Sequence, residues 1–236
     1  MPKRDPKRTI PSEPYKIIYE DQHLVAVSKP PGLLTVPIPK SSAPNLLDML
    51  RRDLASRSAA VLVVHRIDRY TSGIVVFAKN KTARHELVRQ FRAHEPLREY
   101  LALVRGTMQK KEGILVHYMK LVKKGFRNVV TAPGDPDSAQ AKLRYTVHEQ
   151  YPDAALVGVQ LITGLKNQIR VQFAEIGNPV IGDRHYKEKE IREPLINRQA
   201  LHAWRLSVVH PAQKEQVTFE APLPSDMMKL INGYKK

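Results

Sequence analysis

The 236-residue chain has no cysteine, which excludes disulfides, cysteine-ligated zinc and a thiol nucleophile together. It has no long apolar run either. The longest, residues 59–64, falls far short of a membrane span. Acid is scarce: 23 Asp and Glu stand against 39 Lys and Arg, a formal net charge of +16. Such an excess repels itself and points to a polyanionic partner. No strongly amphipathic basic helix stands alone to favour a membrane surface, so nucleic acid is the partner expected. Several chemistries lack their signatures. There is no GxxxxGK[ST] loop, no GxGxxG after a strand, and no GxSxG elbow around Ser72. "HELVR" at 85 opens like a zinc-protease helix, but Arg89 stands where the second histidine would be. The nine histidines show no other metal spacing, so no cofactor or metal is expected.

What remains is a globular composition, 42% hydrophobic and 26% charged, in a chain long enough for a full core. The first fourteen residues, "MPKRDPKRTIPSEP", are basic and proline-rich, with no apolar segment behind them to make a signal peptide. They read as a flexible arm before a single domain over 15–236, in a cytoplasmic, monomeric protein. "YKIIYEDQHLVAVSKPPG" (15–32) reads as two short strands around an Asp-Gln turn. Leu46, Leu47, Leu50 and Leu54 fall at helical spacing. Asn80 is an N-cap for a helix over 81–94 whose inner stripe is Leu87, Val88 and Phe91. "REYLALVRG" (98–106) is a strand. Residues 105–144 carry nine Lys and Arg against three acids and read as basic hairpins or loops. A hairpin over "AKLRYTVHEQ" and "AALVGVQLIT" leads into a helix in 164–177 with Ile169, Val171, Gln172, Phe173 and Ile176 inward; "ALHAWRLSVVH" and "EQVTFEAPLP" form a late strand pair. Sequential, hairpin-linked strands with few helices predict an α+β fold with a largely antiparallel sheet.

One stretch concentrates the chemistry. "HRIDRYTSG" (65–73) places Asp68 between Arg66 and Arg69 at a turn between two apolar runs. Guanidinium neighbours favour an ionised carboxylate, which at such a corner serves as nucleophile, general base or structural clamp. Thr71 and Ser72 can anchor the turn, and Gly73 permits a tight backbone.

"HRIDRYTSGIVVFAK" resembles the HR[LI]DxxTSG motif of RluA-type RNA pseudouridine synthases. The resemblance continues in order. "VAVSKPPGLLTVP" is similar to the family's early KPxG segment and "REYLALVRG" to its [KR]xYxAxVxG strand. "TGLKNQIRVQFAEIGNPVIGD" resembles TGRxxQIRxxxxxxGxPxxGD, and "LHAWRLSVVHP" the late LHAxxLxxxHP strand. The resemblance implies the pseudouridine synthase catalytic fold with a central RNA-binding cleft, and isomerisation of uridine within tRNA or ribosomal RNA. Asp68 would be the nucleophile, whether toward the sugar or toward a sugar proton. Arg170 would pair with it, and Tyr100 would lie against the uracil ring. Arg66 would fill the space left by a flipped base. His65 would be a buried hydrogen-bonding residue, and Arg69 either a phosphate contact or a residue with no particular role. The rival readings are a retired RNA-binding or ribosome-assembly protein of the same fold and an RNA-modifying transferase or hydrolase.

Two departures stand out: Leu165 where the family usually has arginine, and Asn167 where it often has histidine. Neither is expected to touch Asp68, Tyr100 or Arg170. Leucine cannot bind an anion, so any such role of the usual arginine would pass to Lys166. Arg98 replaces the commoner lysine and keeps its charge. Only some fourteen residues precede the core, so the small N-terminal RNA-binding module of other members is expected to be absent. Phosphate contacts would then come from Lys110, Lys111, Lys123, Lys124 and Arg127.

Overall fold

The computed structural model describes residues 15–55, 60–122, 127–186 and 195–235. In chain order these give β1 (Lys16–Glu20), β2 (Leu24–Lys29), α1 (Leu46–Asp53), β3 (Leu62–Val63), β4 (Ser72–Ala78) and α2 (Lys81–Arg92). Then come β5 (Leu97–Arg105), β6 (Glu112–Val122), β7 (Arg127–Thr131), β8 (Ala139–Gln150) and β9 (Ala154–Leu161). The chain closes with α3 (Gln168–Glu175), β10 (Leu201–Val209), β11 (Gln216–Glu220) and α4 (Ser225–Tyr234). All the strands join one sheet in the order β1-β2-β4-β10-β5-β9-β8-β6-β7, with β11 on β10 and β3 on β4. Every pairing is antiparallel except β4 with β10, so the expected α+β class holds.

The period of two along β2 and β4 builds two cores at once. Val25, Val27, Val75 and Phe77 pack under α1 with Leu46, Leu47, Leu50 and Leu54. Leu24, Ala26, Ile74, Val76 and Ala78 face the other way, against Ala83 and Leu87 of α2. A third core lies under the β5-β9-β8 half, where Leu103, Leu143 and Val157 meet Ile169 and Phe173 of α3 and Met227 and Leu230 of α4. Tyr100 packs against both the first and the third, at the seam between halves. The seam closes at the parallel joint, where Ala203 pairs with Gly73. Gly73 has φ +113°, and a Cβ there would lie 2.0 Å from the Ala203 carbonyl oxygen, so only glycine lets the strands approach.

Asn80 caps α2, its side chain accepting from Ala83 N at 2.8 Å as predicted. Of the predicted inner stripe only Leu87 is fully buried; Val88 and Phe91 are half-buried. The strand before the Asp68 motif is shorter than predicted, two residues only: Leu62 and Val63 pair with Ala78 and Phe77, at the far end of β4 from Ser72 and Gly73, where β10 pairs. Ile176, predicted to face inward, is 36% exposed at the end of α3.

Candidate active site

Residues 64–71 leave β3 and turn back into β4, and braces from three sides fix the turn. Thr71 N donates to Asp68 O at 3.1 Å. Arg69 Nε donates to Gly32 O at 2.7 Å, and Gly32 N returns a bond to Arg69 O at 2.8 Å. Buried Lys29 donates through Nζ to the carbonyls of Pro30, Leu33 and Arg69 at 2.9, 2.9 and 3.0 Å. Burial presses its pKa well below the ordinary value, with the Arg198 charge adding, Asp68 opposing and Arg69 adding. Three acceptors around one nitrogen nonetheless need three N–H groups, which only the ammonium has. Arg198 Nη1 donates to Tyr70 O at 3.3 Å. The "KPPG" segment and the Asp68 turn are therefore one unit.

The neighbouring polar groups are taken up structurally. His65 Nε2 accepts from Val76 N at 3.0 Å, and its ring stacks on Phe91 with centroids 4.4 Å apart. Burial, with the Arg98 charge, pushes its pKa down to about 3. Ser72 Oγ lies 2.9 Å from His202 Nδ1, whose Nε2 faces Ala221 O at 3.1 Å. A carbonyl only accepts, so Nε2 carries the proton and Nδ1 accepts from the serine.

Asp68 itself keeps a quarter of its side chain exposed. Its Oδ2 accepts from Asn167 Nδ2 at 2.6 Å and from Arg170 Nη1 at 3.1 Å. Among the described residues Oδ1 has no hydrogen-bond partner. Arg170, on α3, is buried and is aimed by Asp183, which takes Nε at 2.5 Å and Nη2 at 2.8 Å. Asp183 also accepts from His185 N and Tyr186 N at 2.8 and 3.2 Å. Burial would lower the Arg170 pKa, but the bonds and charge of Asp183 and the Asp68 carboxylate outweigh it and raise it. The reverse holds for Asp183, where burial is outweighed by Arg170 and the two backbone N–H groups and the pKa is lowered. The Tyr186 ring lies against the Arg170 guanidinium at 5.1 Å.

Asn167 sits just before α3 with φ +58°, a left-handed conformation that asparagine tolerates. This twist turns its amide away from the helix end and onto Asp68. The expectation that the departures at 165 and 167 leave Asp68 untouched is thus corrected at Asn167. Leu165 packs with Met119, Ala141 and Val171, docking the β6–β7 hairpin on the loop before α3. Asn128 Nδ2 reinforces that dock by donating to Lys166 O at 2.6 Å.

Asp68, Tyr100 and Arg170 line one cavity of about 710 Å³, with Arg66 and Lys166 also in its wall. Tyr100 is half-buried; burial pushes its pKa up to about 12, against the Arg98 charge and with that of Asp68. Its hydroxyl has no hydrogen-bond partner among the described residues. Arg66 is exposed and makes no hydrogen bond or ion pair with them. Arg127 is exposed at the start of β7, away from the cavity wall. Lys123, Lys124 and the 1–14 arm lie outside the described residues. No group of three or more described His, Asp and Glu side chains could hold a metal ion, and no described helix is long and apolar enough to cross a membrane. Sequence reasoning missed Lys29, Asn167 and Asp183; the first and last were signalled by "KPPG" and "NPVIGD".

Residues 23–175 match the family model described as RNA pseudouridylate synthase. The chain belongs to that family. It is accordingly an isomerase that converts uridine in RNA to pseudouridine. It is 36% identical over 217 residues to the dual-specificity RNA pseudouridine synthase RluA of Escherichia coli, covering 90% of this chain and 95% of that protein. It is 34% identical over 233 residues to the ribosomal large subunit pseudouridine synthase D of Nitrosomonas europaea, covering 94% of this chain and 66% of that protein. The solved structure of human RNA pseudouridylate synthase domain containing 4 has the same fold, with a TM-score of 0.78, 22% identity and 93% of each chain covered.

Proposed function

We propose that this pseudouridine synthase acts on stem-loop uridines of tRNA or ribosomal RNA, through Asp68 as the nucleophile, in a single catalytic domain over the described residues from 15 to 235. The observation that carries the reading is the asymmetry of the Asp68 carboxylate. Oδ2 is held by Arg170 and Asn167, while Oδ1 is left to meet the sugar of a uridine in the cavity. Arg170 is the positioning residue, and Asp183 fixes it in turn. Asp68 Oδ1 bonds to C1′ as the bond to N1 breaks; the freed ring turns to bring C5 to C1′, the C5–C1′ bond forms as the bond from Asp68 to C1′ breaks, and the C5 proton leaves to water while N1 is protonated. Atoms balance and no co-reactant is needed. Tyr100, protonated at neutral pH, offers its ring to the uracil face. The cavity of about 710 Å³ admits a flipped nucleoside, and exposed Arg66 at its rim is the group that fills the stack left behind. Arg69 is assigned to the turn, where its Nε is already engaged, rather than to phosphate. Lys166 and Arg127 flank the dock between the hairpin and the α3 loop and contribute phosphate contacts; Lys123 and Lys124 belong to the same basic hairpin by sequence. The dual-specificity and ribosomal names of the relatives support the substrate class, and both relatives are synthases, which leaves the retired-protein reading without support.

The test is release of tritium from RNA labelled at uridine C5. The native chain is expected to release it, and Asp68→Asn, which keeps the shape but removes the charge, is expected to release none. Equal release from the two proteins would end the assignment of Asp68. Chemical mapping of pseudouridine in cells with and without the protein identifies the site.

A further inference from the structure

We propose that Arg98 is the seat of a backbone phosphate beside the target uridine, an inference that rests on the RNA-isomerase reading and deepens it. Arg98 and Tyr100 are two residues apart on β5, so their side chains share one face, and both line the cavity that holds Asp68. Three arginines of the described chain are buried. Two of them grip an aspartate with two bonds each: Arg170 holds Asp183 and Arg198 holds Asp226. The third, Arg98, is only 9% exposed and forms no ion pair among the described residues. Its Nη2 donates to Ile162 O at 3.2 Å and, at the limit of a hydrogen bond, to Leu161 O at 3.5 Å; its Nε is buried with no partner among the described residues.

Burying a guanidinium without an acid is costly, and an arriving anion would offset that cost. The surroundings fit that visitor. Asp68 is the single acid in the cavity wall, and it is already paired with Arg170. Arg66, Arg92 and Lys166 line the same space. At Gly164 a Cβ would stand 2.4 Å from Arg98 Nη1, so any side chain there would push the guanidinium from its place. Beyond Arg92 the positive surface continues along α2 through Lys81 and Arg84, giving the strand a way out. The phosphodiester is the only anion that RNA brings, and a fork of N–H donors suits its oxygens.

The experiment is a linkage scan read by binding rather than turnover. A synthetic uridine-bearing stem-loop is made with one neutral methylphosphonate at each loop linkage in turn. Affinities are measured for the native chain and for Arg98→Gln. One linkage is expected to cost the native chain about tenfold, the scale of one charge-assisted hydrogen bond, and to cost Arg98→Gln nothing further. Arg98→Lys, which retains charge, should still discriminate at that linkage. A scan in which every linkage costs the two proteins the same overturns the phosphate seat, as does a native chain indifferent to all of them. The native scan alone can overturn it if Arg98→Gln does not fold. Tritium release is measured separately, so loss of the isomerase reading and loss of the phosphate seat are told apart.

Discussion

Two donors converge on one oxygen of Asp68, and that leaves the other oxygen without a hydrogen bond among the described residues. Arg170 supplies charge and Asn167 supplies aim, at 3.1 and 2.6 Å. Removing the Asn167 amide leaves the carboxylate on a single tether, and a small rotation of a reacting group costs up to about a hundredfold in rate. Asn167→Ala is therefore expected to lower kcat by about tenfold or more with little change in KM. Asn167→His tolerates the left-handed backbone better than most residues and offers an N–H, so it should recover much of that loss. Asn167→His should melt with the native chain, since the residue caps no helix N–H, while Asn167→Ala should melt somewhat lower because alanine at this positive φ costs about 1 kcal/mol. A loss carried by KM, or no rescue by histidine, would place Asn167 in RNA binding instead. Asp68, Tyr100 and Arg170 are legible in the sequence because each stands in a long ordered motif. The role of Asn167 is not, because its bond to Asp68 depends on a backbone twist that no residue pattern announces.

The elements that position the site differ in how visibly they are written. α2 shows its apolar spacing and its asparagine cap, and both appear in the fold. α3 is buried on nearly every side, from Gln168 through Phe173, so it shows little amphipathic contrast, and the pattern places its start four residues too early. α4 escapes sequence reading altogether: Met227, Leu230 and Ile231 make a short stripe between Pro224 and Gly233. The joint of β4 and β10 is hidden too, because its polar members look like surface residues in sequence. There His202 is buried and neutral, bonded to Ser72 and Ala221, and burial holds its pKa down to about 4. The consequence for acid stability has a definite sign. Between pH 6.5 and 4 the unfolded chain binds a proton at this histidine and the folded chain does not, so stability falls as pH falls. Each pH unit costs about 1.4 kcal/mol per such group, and His65, held near 3, adds to the slope. The buried or half-buried aspartates Asp183 and Asp226 have lowered pKa values and lose their pairs below this window. Urea unfolding from pH 7.5 to 4 should show the decline, and His202→Gln should remove roughly half of the histidine slope. An unchanged slope in that variant would mean that His202 is protonated in the fold.

At the scale of the whole molecule the charge of +16 has a direction as well as a size. The composition points to a polyanion, but it cannot say which face would meet it. Several acids are spent as internal or local braces, Asp183 on Arg170, Asp226 on Arg198 and Glu86 on Arg89. Part of the excess stands around one cavity, where Arg66, Arg92, Arg98 and Lys166 face a single carboxylate. Binding to RNA should therefore weaken steeply with salt, each phosphate contact adding roughly 0.7–0.9 to the slope of log affinity against log salt. Arg66 is where the charge argument and the flipping argument part. As a phosphate contact it would serve every RNA alike. As the side chain that occupies a vacated stack, it matters only where a base must first leave that stack, a step costing a few kcal/mol. Its exposure at the rim, without a bond to any described residue, suits the second use. Arg66→Ala should therefore cut kcat/KM on a folded stem-loop by about tenfold or more, and on unstructured RNA by about twofold or less. Its salt slope should change by well under one contact. Equal losses on both substrates, with a slope lowered by a full contact, would return Arg66 to the phosphate-binding set.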